Sequence, residues 1–173
     1  MPPAIEVRRY RSDDVAAVND AVIESREALS QWMPWCTDQY GRPDTVAWVE
    51  AQLGDWGPSS DRNFVIAGTS GDVLGAIGLK GIDHVNGTAE AGYWVRTSAT
   101  GRGVGSAALV WLCEWAAKEL ALHRIEIIAS VKNRASQRVA EKAGAVREAV
   151  LAKRLVLHNE YHDAVLYARL REL

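Results

Sequence analysis

Apolar residues along this chain follow two rhythms, and each switch between them marks an element. Ile5 to Tyr10 alternates with the period of a strand. Ser12-Asp13-Asp14 reads as a helix start, after which Val15, Val18, Val22 and Ile23 recur at helical spacing. Ser30 to Gly41, "SQWMPWCTDQYG", is rich in aromatic and turn-forming residues and reads as irregular. Pro43-Asp44 opens a second helix through about Trp56, with Val46, Val49 and Leu53 on one face, and "GPSSDR" breaks it. Strands are expected at Asn63–Gly68, Val73–Lys80 and Thr88–Arg96. Ser70-Gly71-Asp72 makes the hairpin turn between the first two, and a loop at Asp83–Gly87 leads to the third. A glycine loop then opens a long helix ending near Leu120. Arg124–Ser130 reads as a strand and Asn133–Ala143 as a short helix stopped by Gly144. Val146–Leu151 and Ala164–Ala168 read as two last strands, joined by a polar segment ending in "HNEYHD".

This order predicts antiparallel hairpins followed by a β-loop-α-β unit whose strands lie parallel. The expected fold is a mixed α/β layer structure in one domain spanning 1–173, not a repeated βαβ nucleotide fold. A content of 48% hydrophobic and 24% charged residues fits an ordinary globular chain. The net charge of -2 removes any global attraction to nucleic acid or anionic membrane, though local basic clusters can still hold an anionic ligand. No apolar run reaches 18 residues and the start lacks the apolar core of a signal peptide, so a cytoplasmic location is expected. Cys36 and Cys113 are too few for a disulfide framework, and His84, His123, His158 and His162 show no ligand spacing, so no metal is expected.

The stretch "TGRGVGSAAL" raises the sharpest question, because glycine in a helix costs up to about 1 kcal/mol per site relative to alanine. Consecutive backbone N–H groups at a helix start, reinforced by the helix dipole, bind anions, and glycine lets a bulky pyrophosphate approach them. Arg102 and Ser106 could add side-chain donors. No lysine follows the glycines, so this is not a P-loop. The G-x-G-x-G spacing also lacks the third glycine of the dinucleotide fingerprint. A tight turn that merely packs helix on sheet is the competing reading.

Three segments together, "EAGYWVRTSATGRGVGSAAL", "RIEIIASVKNRASQRVAEKAGA" and "EYHDAVLYARL", resemble the GNAT superfamily of acyl-CoA-dependent N-acetyltransferases. Within it they are similar to the RimJ/RimL group, which acetylates N-terminal amines of ribosomal proteins, and the early "ALSQWMPW" shares that likeness. The resemblance implies a mixed, mostly antiparallel seven-stranded sheet flanked by about four helices and splayed at its fourth and fifth strands. It implies acetyl-CoA as co-substrate. Gly101, Arg102, Gly103, Val104, Gly105 and Ser106 would hold the pyrophosphate, and Trp94, Val95 and Arg96 would pair with the pantetheine arm. Asn133 would hydrogen-bond that arm and Ser136 would sit near the thioester sulfur. Arg134, Arg138 and Lys142 give the short helix a basic side, ordinarily a solvated face, which could meet the 3′-phosphate where it flanks the cleft. Two departures stand out: Thr100 occupies a place usually held by Gln or Arg, and Ala140 one where many members carry an acidic tyrosine. Ala145 likewise replaces a phenylalanine after the helix.

Amine attack on a thioester needs a neutral amine, a polarised carbonyl and a tolerable leaving thiolate. An α-amine titrates near 7.7–8.0 and lysine near 10.4, so an α-amine asks less of a base. Glu90 is the candidate base, with a solvated, ion-paired strand residue as its competing reading. The Val95 amide is the candidate oxyanion donor and Ser136 the donor to the thiolate. Trp32, Trp35 and Tyr161 are the candidate acceptor residues, whereas Trp111 and Trp115 at i, i+4 read as packing. The expected partners are an acyl-CoA donor and an amine acceptor, a peptide, ribosomal proteins included, or a small molecule; the resemblance also allows a homodimer. Two rivals stand beside this reading: detoxification of a small aminoacyl or nucleotide-linked amine, and a CoA-binding module without catalysis.

Overall fold

The computed structural model describes residues 3–57 and 60–171, so Pro58 and Ser59 of the expected "GPSSDR" break lie outside the described residues. Strand alternation decides which face each helix covers. In β2 (Arg62–Gly68), Phe64 and Ile66 point one way and Val65 and Ala67 the other, and all four are buried. A strand buried on both faces belongs between two helical layers. Phe64 and Ile66 join Ile77 and Leu79 of β3 (Val73–Asp83) and Ala89 and Ala91 of β4 (Thr88–Val95) in the larger core. Ile125 and Ile127 of β5 (Arg124–Ser130) extend that core beneath α3 (Val104–Glu119) and α4 (Arg134–Lys142). Val65, Ala67 and Val73 face the opposite layer, α1 (Val15–Ser30) and α2 (Arg42–Gln52), through Val18, Val22 and Val49.

With β1 (Ile5–Arg8), β6 (Val146–Leu157) and β7 (Glu160–Leu170), the strands form one seven-stranded sheet in the order β1-β2-β3-β4-β5-β7-β6. Every neighbouring pair is antiparallel except β4–β5. That parallel ladder joins only Thr88–Glu90 to Arg124–Glu126, whereas β3 stays paired with β4 to Val95 and β7 with β5 to Ser130. The sheet therefore splits between its fourth and fifth strands beyond Glu90, as the sequence resemblance implies.

Several boundaries differ from the sequence reading. The second helix stops at Gln52 instead of Trp56, because Trp56 is drawn into an edge-on aromatic cluster with Phe64 and Trp115, at 5.4 and 5.9 Å between ring centres. Trp111 and Trp115 stack within this same cluster, the packing role their spacing implies. The polar segment before "HNEYHD" is strand instead of loop. β6 and β7 form one long hairpin that reverses at His158-Asn159, both at positive φ (51° and 62°), as a two-residue reversal of the right twist requires. A bulge at Lys153, whose amide donates to the Asp163 carboxylate at 2.8 Å, breaks the period-two pattern and hides the strand from sequence. The first and fourth expected strands, finally, end at Arg8 and Val95, and the third runs on to Asp83.

Candidate active site

Where β4 and β5 part, backbone groups are left facing an open gap. The Arg96 amide donates to the Leu74 carbonyl at 2.7 Å, and bonding direction alternates along an antiparallel strand. Tyr93 and Val95 therefore turn their N–H groups away from β3, toward β5, and the β5 ladder has already ended at Glu90. The Val95 amide is thus presented to an extended ligand or a developing oxyanion.

The glycine loop stands at the head of this gap. Gly103 holds φ 81° at the cap position of α3, a left-handed conformation that side chains resist. No side chain caps the helix there, so the first-turn amides of Val104, Gly105 and Ser106 have no intrahelical acceptor. Together with the α3 dipole they offer donors suited to an anion. Ser106 contributes its amide and not its hydroxyl, which donates to the Gly103 carbonyl at 3.0 Å. The Thr100 hydroxyl is likewise turned back, donating to Thr97 at 2.8 Å, while Arg102 is exposed at the loop. Gly105 has a different reason to be glycine. A Cβ there would meet Val139 of α4 at 3.2 Å and Val95 of β4 at 3.4 Å, so its absence lets helix and strand close on each other.

Arg96 does not serve the gap. Its guanidinium pairs with Glu24 of α1, the Nε donating at 2.6 Å, because the turn after β4 is clasped by that helix. The Ser98 amide donates to Glu24 and the Thr97 amide to the buried Ser25 hydroxyl, at 3.0 and 2.9 Å. Hydrogen bonds from Ser98, then from Arg96, hold the Glu24 carboxyl below its usual range.

On the far bank, Asn133 caps α4 by accepting from the Ser136 amide at 3.1 Å. Its buried neighbour Gln137 donates to the Ser130 and Val131 carbonyls, fixing the helix start to the end of β5. The Ser136 hydroxyl lies 3.0 Å from the hydroxyl of Tyr93, which is also 3.1 Å from the Ser136 carbonyl. Burial, partly offset by the Ser136 hydrogen bond, pushes the Tyr93 phenol up to about 12. Tyr93 was missed from sequence, although it sits in "AEAGYW" and its parity with Ala89 and Ala91 places it on the face that meets α4. Arg138 is exposed.

Trp94 points the other way. It lines a cavity of about 680 Å³ on the α1–α2 side of the sheet, with Tyr10, Met33, Trp35, Tyr40 and Trp48. Trp35 is 42% exposed, with ring centres 6.5 Å from Trp94 and 5.4 Å from Tyr40, so an aromatic wall borders the gap. Trp32 is half-buried outside this lining. Tyr161 sits on the outer hairpin, 72% exposed, with the Lys153 ammonium 6.0 Å from its ring, and is no part of the cavity.

Glu90 is ion-paired with Lys80 at 2.9 Å, the competing reading of the sequence. It lies five residues before Val95, roughly 16 Å down the strand at about 3.3 Å per residue, so no direct proton transfer joins it to an amine beside Val95. Among the described residues no group of His, Cys, Asp and Glu is arranged to hold a metal ion. None of their helices is long and apolar enough to cross a membrane.

The family model described as "Acetyltransferase (GNAT) domain" matches residues 5–146. The chain is similar to YdaF of Bacillus subtilis, provisionally named a ribosomal N-acetyltransferase, at 31% identity over 96% of this chain and 91% of that protein. It is similar in structure to the Salmonella typhimurium acetyltransferase described as modifying the N-terminal serine of ribosomal protein L7/L12. That match has a TM-score of 0.82 and 26% identity, and covers 98% and 96% of the two chains. It shares its fold with MccE, the microcin C7 self-immunity acetyltransferase solved with acetyl-CoA and AMP, at a TM-score of 0.89, 21% identity and coverage of 97% and 93%.

Proposed function

The chain belongs to the GNAT acetyltransferase family and takes acetyl-CoA as its acyl donor, and from that premise we propose that its acceptor is the α-amine at the N-terminus of a protein, ribosomal proteins foremost. The observation that carries this reading is the 31% identity to YdaF over nearly the whole of both chains. The geometry supports it. The uncapped amides of Val104, Gly105 and Ser106 fit a pyrophosphate, and the unpaired edge of β4 fits the amide-bearing pantetheine arm. The acetyl carbonyl would then meet the Val95 N–H, and the amine would arrive from the aromatic side lined by Trp35 and Trp94.

Acetyl-CoA supplies an activated thioester. The chain's own residues supply position, one oxyanion donor at Val95 and a hydroxyl at Ser136. Attack of the neutral amine forms the C–N bond as the C–S bond breaks, and the proton lost by nitrogen matches the one gained by sulfur. With Glu90 held by Lys80 and remote from Val95, the amine's own pKa sets how much is neutral. An α-amine near 7.7–8.0 is substantially neutral at physiological pH, whereas only about one lysine in a thousand is. This magnitude favours α-amines over lysines.

A second reading rests on the aromatic cavity. Trp35, Trp48 and Tyr40 offer flat surfaces to a planar group such as a nucleobase attached to an aminoacyl amine. Thiol release from acetyl-CoA with a panel of free-N-terminal peptides, Nα-blocked lysine peptides and aminoacyl nucleotides separates the two. Selective turnover of free-N-terminal peptides supports the proposal; turnover confined to aminoacyl nucleotides replaces it with the second reading.

A further inference from the structure

Resting on the reading above, in which Ser136 faces the thioester sulfur, we propose that Tyr93 is a positioning residue for acyl transfer: it holds the Ser136 hydroxyl off the helix backbone so that it can donate a hydrogen bond to the departing sulfur.

A serine or threonine inside a helix ordinarily satisfies its hydroxyl on the carbonyl three or four residues back. Among the described residues, the serines of α1 and α3 do so: Ser25 donates to Ala21 at 2.7 Å, Ser30 to Glu27 at 3.2 Å and Ser106 to Gly103 at 3.0 Å. Thr45 of α2 lies 3.4 Å from the Gly41 carbonyl but nearer to the Tyr40 hydroxyl and Asn19 Oδ1, at 3.1 and 3.2 Å. Ser136 departs from the pattern. Its hydroxyl meets the Tyr93 hydroxyl at 3.0 Å, across from β4, and the backbone carbonyl of Ser136 itself is 3.1 Å from the same phenol.

Tyr93 has one proton and two acceptors on one residue. When the phenol donates to the Ser136 carbonyl, the Ser136 hydroxyl donates to the phenol oxygen and offers nothing to the gap. When the phenol donates to the Ser136 Oγ instead, the serine proton is released and points elsewhere. The only change between the two states is rotation of two O–H bonds, and a thiolate forming beside Ser136 favours the second. No bond to carbon changes and no proton leaves Tyr93. Its phenol, pushed up to about 12 by burial, keeps that proton throughout the working range of pH. The arrangement also explains how the chain manages with Ala140, which is fully buried on α4 and has no hydroxyl to offer.

The test is a double-mutant cycle with Tyr93→Phe and Ser136→Ala, read on the best acceptor of the peptide panel. Tyr93→Phe keeps the ring that fills the core and removes one hydroxyl. It is expected to lower kcat about fivefold to tenfold, the worth of one neutral hydrogen bond. Acetyl-CoA affinity by calorimetry is expected to stay unchanged. Ser136→Ala is expected to lower kcat at least as much, and the double variant to be no slower than Ser136→Ala alone. Losses that multiply in the double variant overturn the inference, as does a Tyr93→Phe enzyme with unchanged kcat beside a slow Ser136→Ala enzyme; both leave the role of Ser136 standing. A Ser136→Ala enzyme at the parental rate removes that role, and the inference with it.

Discussion

At the scale of single residues, the glycines of "TGRGVGSAAL" do two different jobs. Gly103 supplies a left-handed φ that leaves the α3 amides uncapped, while Gly105 supplies the absence of a side chain between Val95 and Val139. Gly105→Ala tests the second. Alanine should raise helix propensity by about 1 kcal/mol. Against this, contacts of 3.2 and 3.4 Å force α4 or β4 to move, at a cost of about 1–3 kcal/mol for overpacking. The net loss in stability is about 0–2 kcal/mol, so the melting temperature should fall by no more than several degrees. Acetyl-CoA binding should weaken measurably by calorimetry, because the displaced pair flanks the gap. Affinity unchanged with a lowered melting temperature would confine Gly105 to packing.

Between elements, the parallel pairing of β4 and β5 was legible from element order, and the parted strands from the family resemblance. The β-loop-α-β unit forces β4 and β5 parallel, and the strand reading of "RIEIIAS" survives intact. Features that depend on distant partners were not legible. Arg96 reads as a cofactor residue until Glu24, 72 positions earlier, is found beside it. Trp56 ends outside its helix because Phe64 and Trp115 are better neighbours than solvent. The outer parts of β6 and β7, beyond Leu151 and before Ala164, hide behind a bulge at Lys153 that only Asp163 explains. Tyr93 was within reach, since strand parity alone aims it at α4, but its tie to Ser136 needs the third dimension.

One further inter-element tie carries a pH prediction. Asp14, at the head of α1, receives both guanidinium nitrogens of Arg8 on β1, at 2.7 and 2.8 Å, and the Arg11 amide at 2.7 Å. Burial alone would raise its carboxyl, but the Arg8 and Arg11 interactions outweigh that and hold it below the usual range. A depressed folded pKa stabilises the protein above the unfolded value near 3.9, and that contribution is lost as pH falls through the lower folded value. Asp14→Asn should therefore cost about 1–3 kcal/mol at neutral pH, since it leaves the half-buried Arg8 without its charge partner. The gap between the two melting temperatures should narrow below about pH 4. A constant gap from pH 7 to pH 3 would show that Asp14 acts through shape alone.

At the scale of the whole molecule, the two faces of one sheet divide the labour. On the proposed reading the α3–α4 face and the parted strands would accommodate the donor, while the α1–α2 face carries the aromatic cavity, and β4 belongs to both through Tyr93 and Trp94. Amine and thioester would meet where that strand runs free, and holding them there in line for attack supplies most of the rate. The most direct measurement is the initial rate of thiol release from acetyl-CoA against pH, with a free-N-terminal peptide compared with its Nα-acetylated, lysine-containing counterpart. The account predicts turnover of the free peptide that climbs with pH through a midpoint near 8 and levels above about 9, as the α-amine becomes neutral, with little turnover of the blocked one. Equal rates for the two peptides, or no thiol release with any free α-amine, would contradict it.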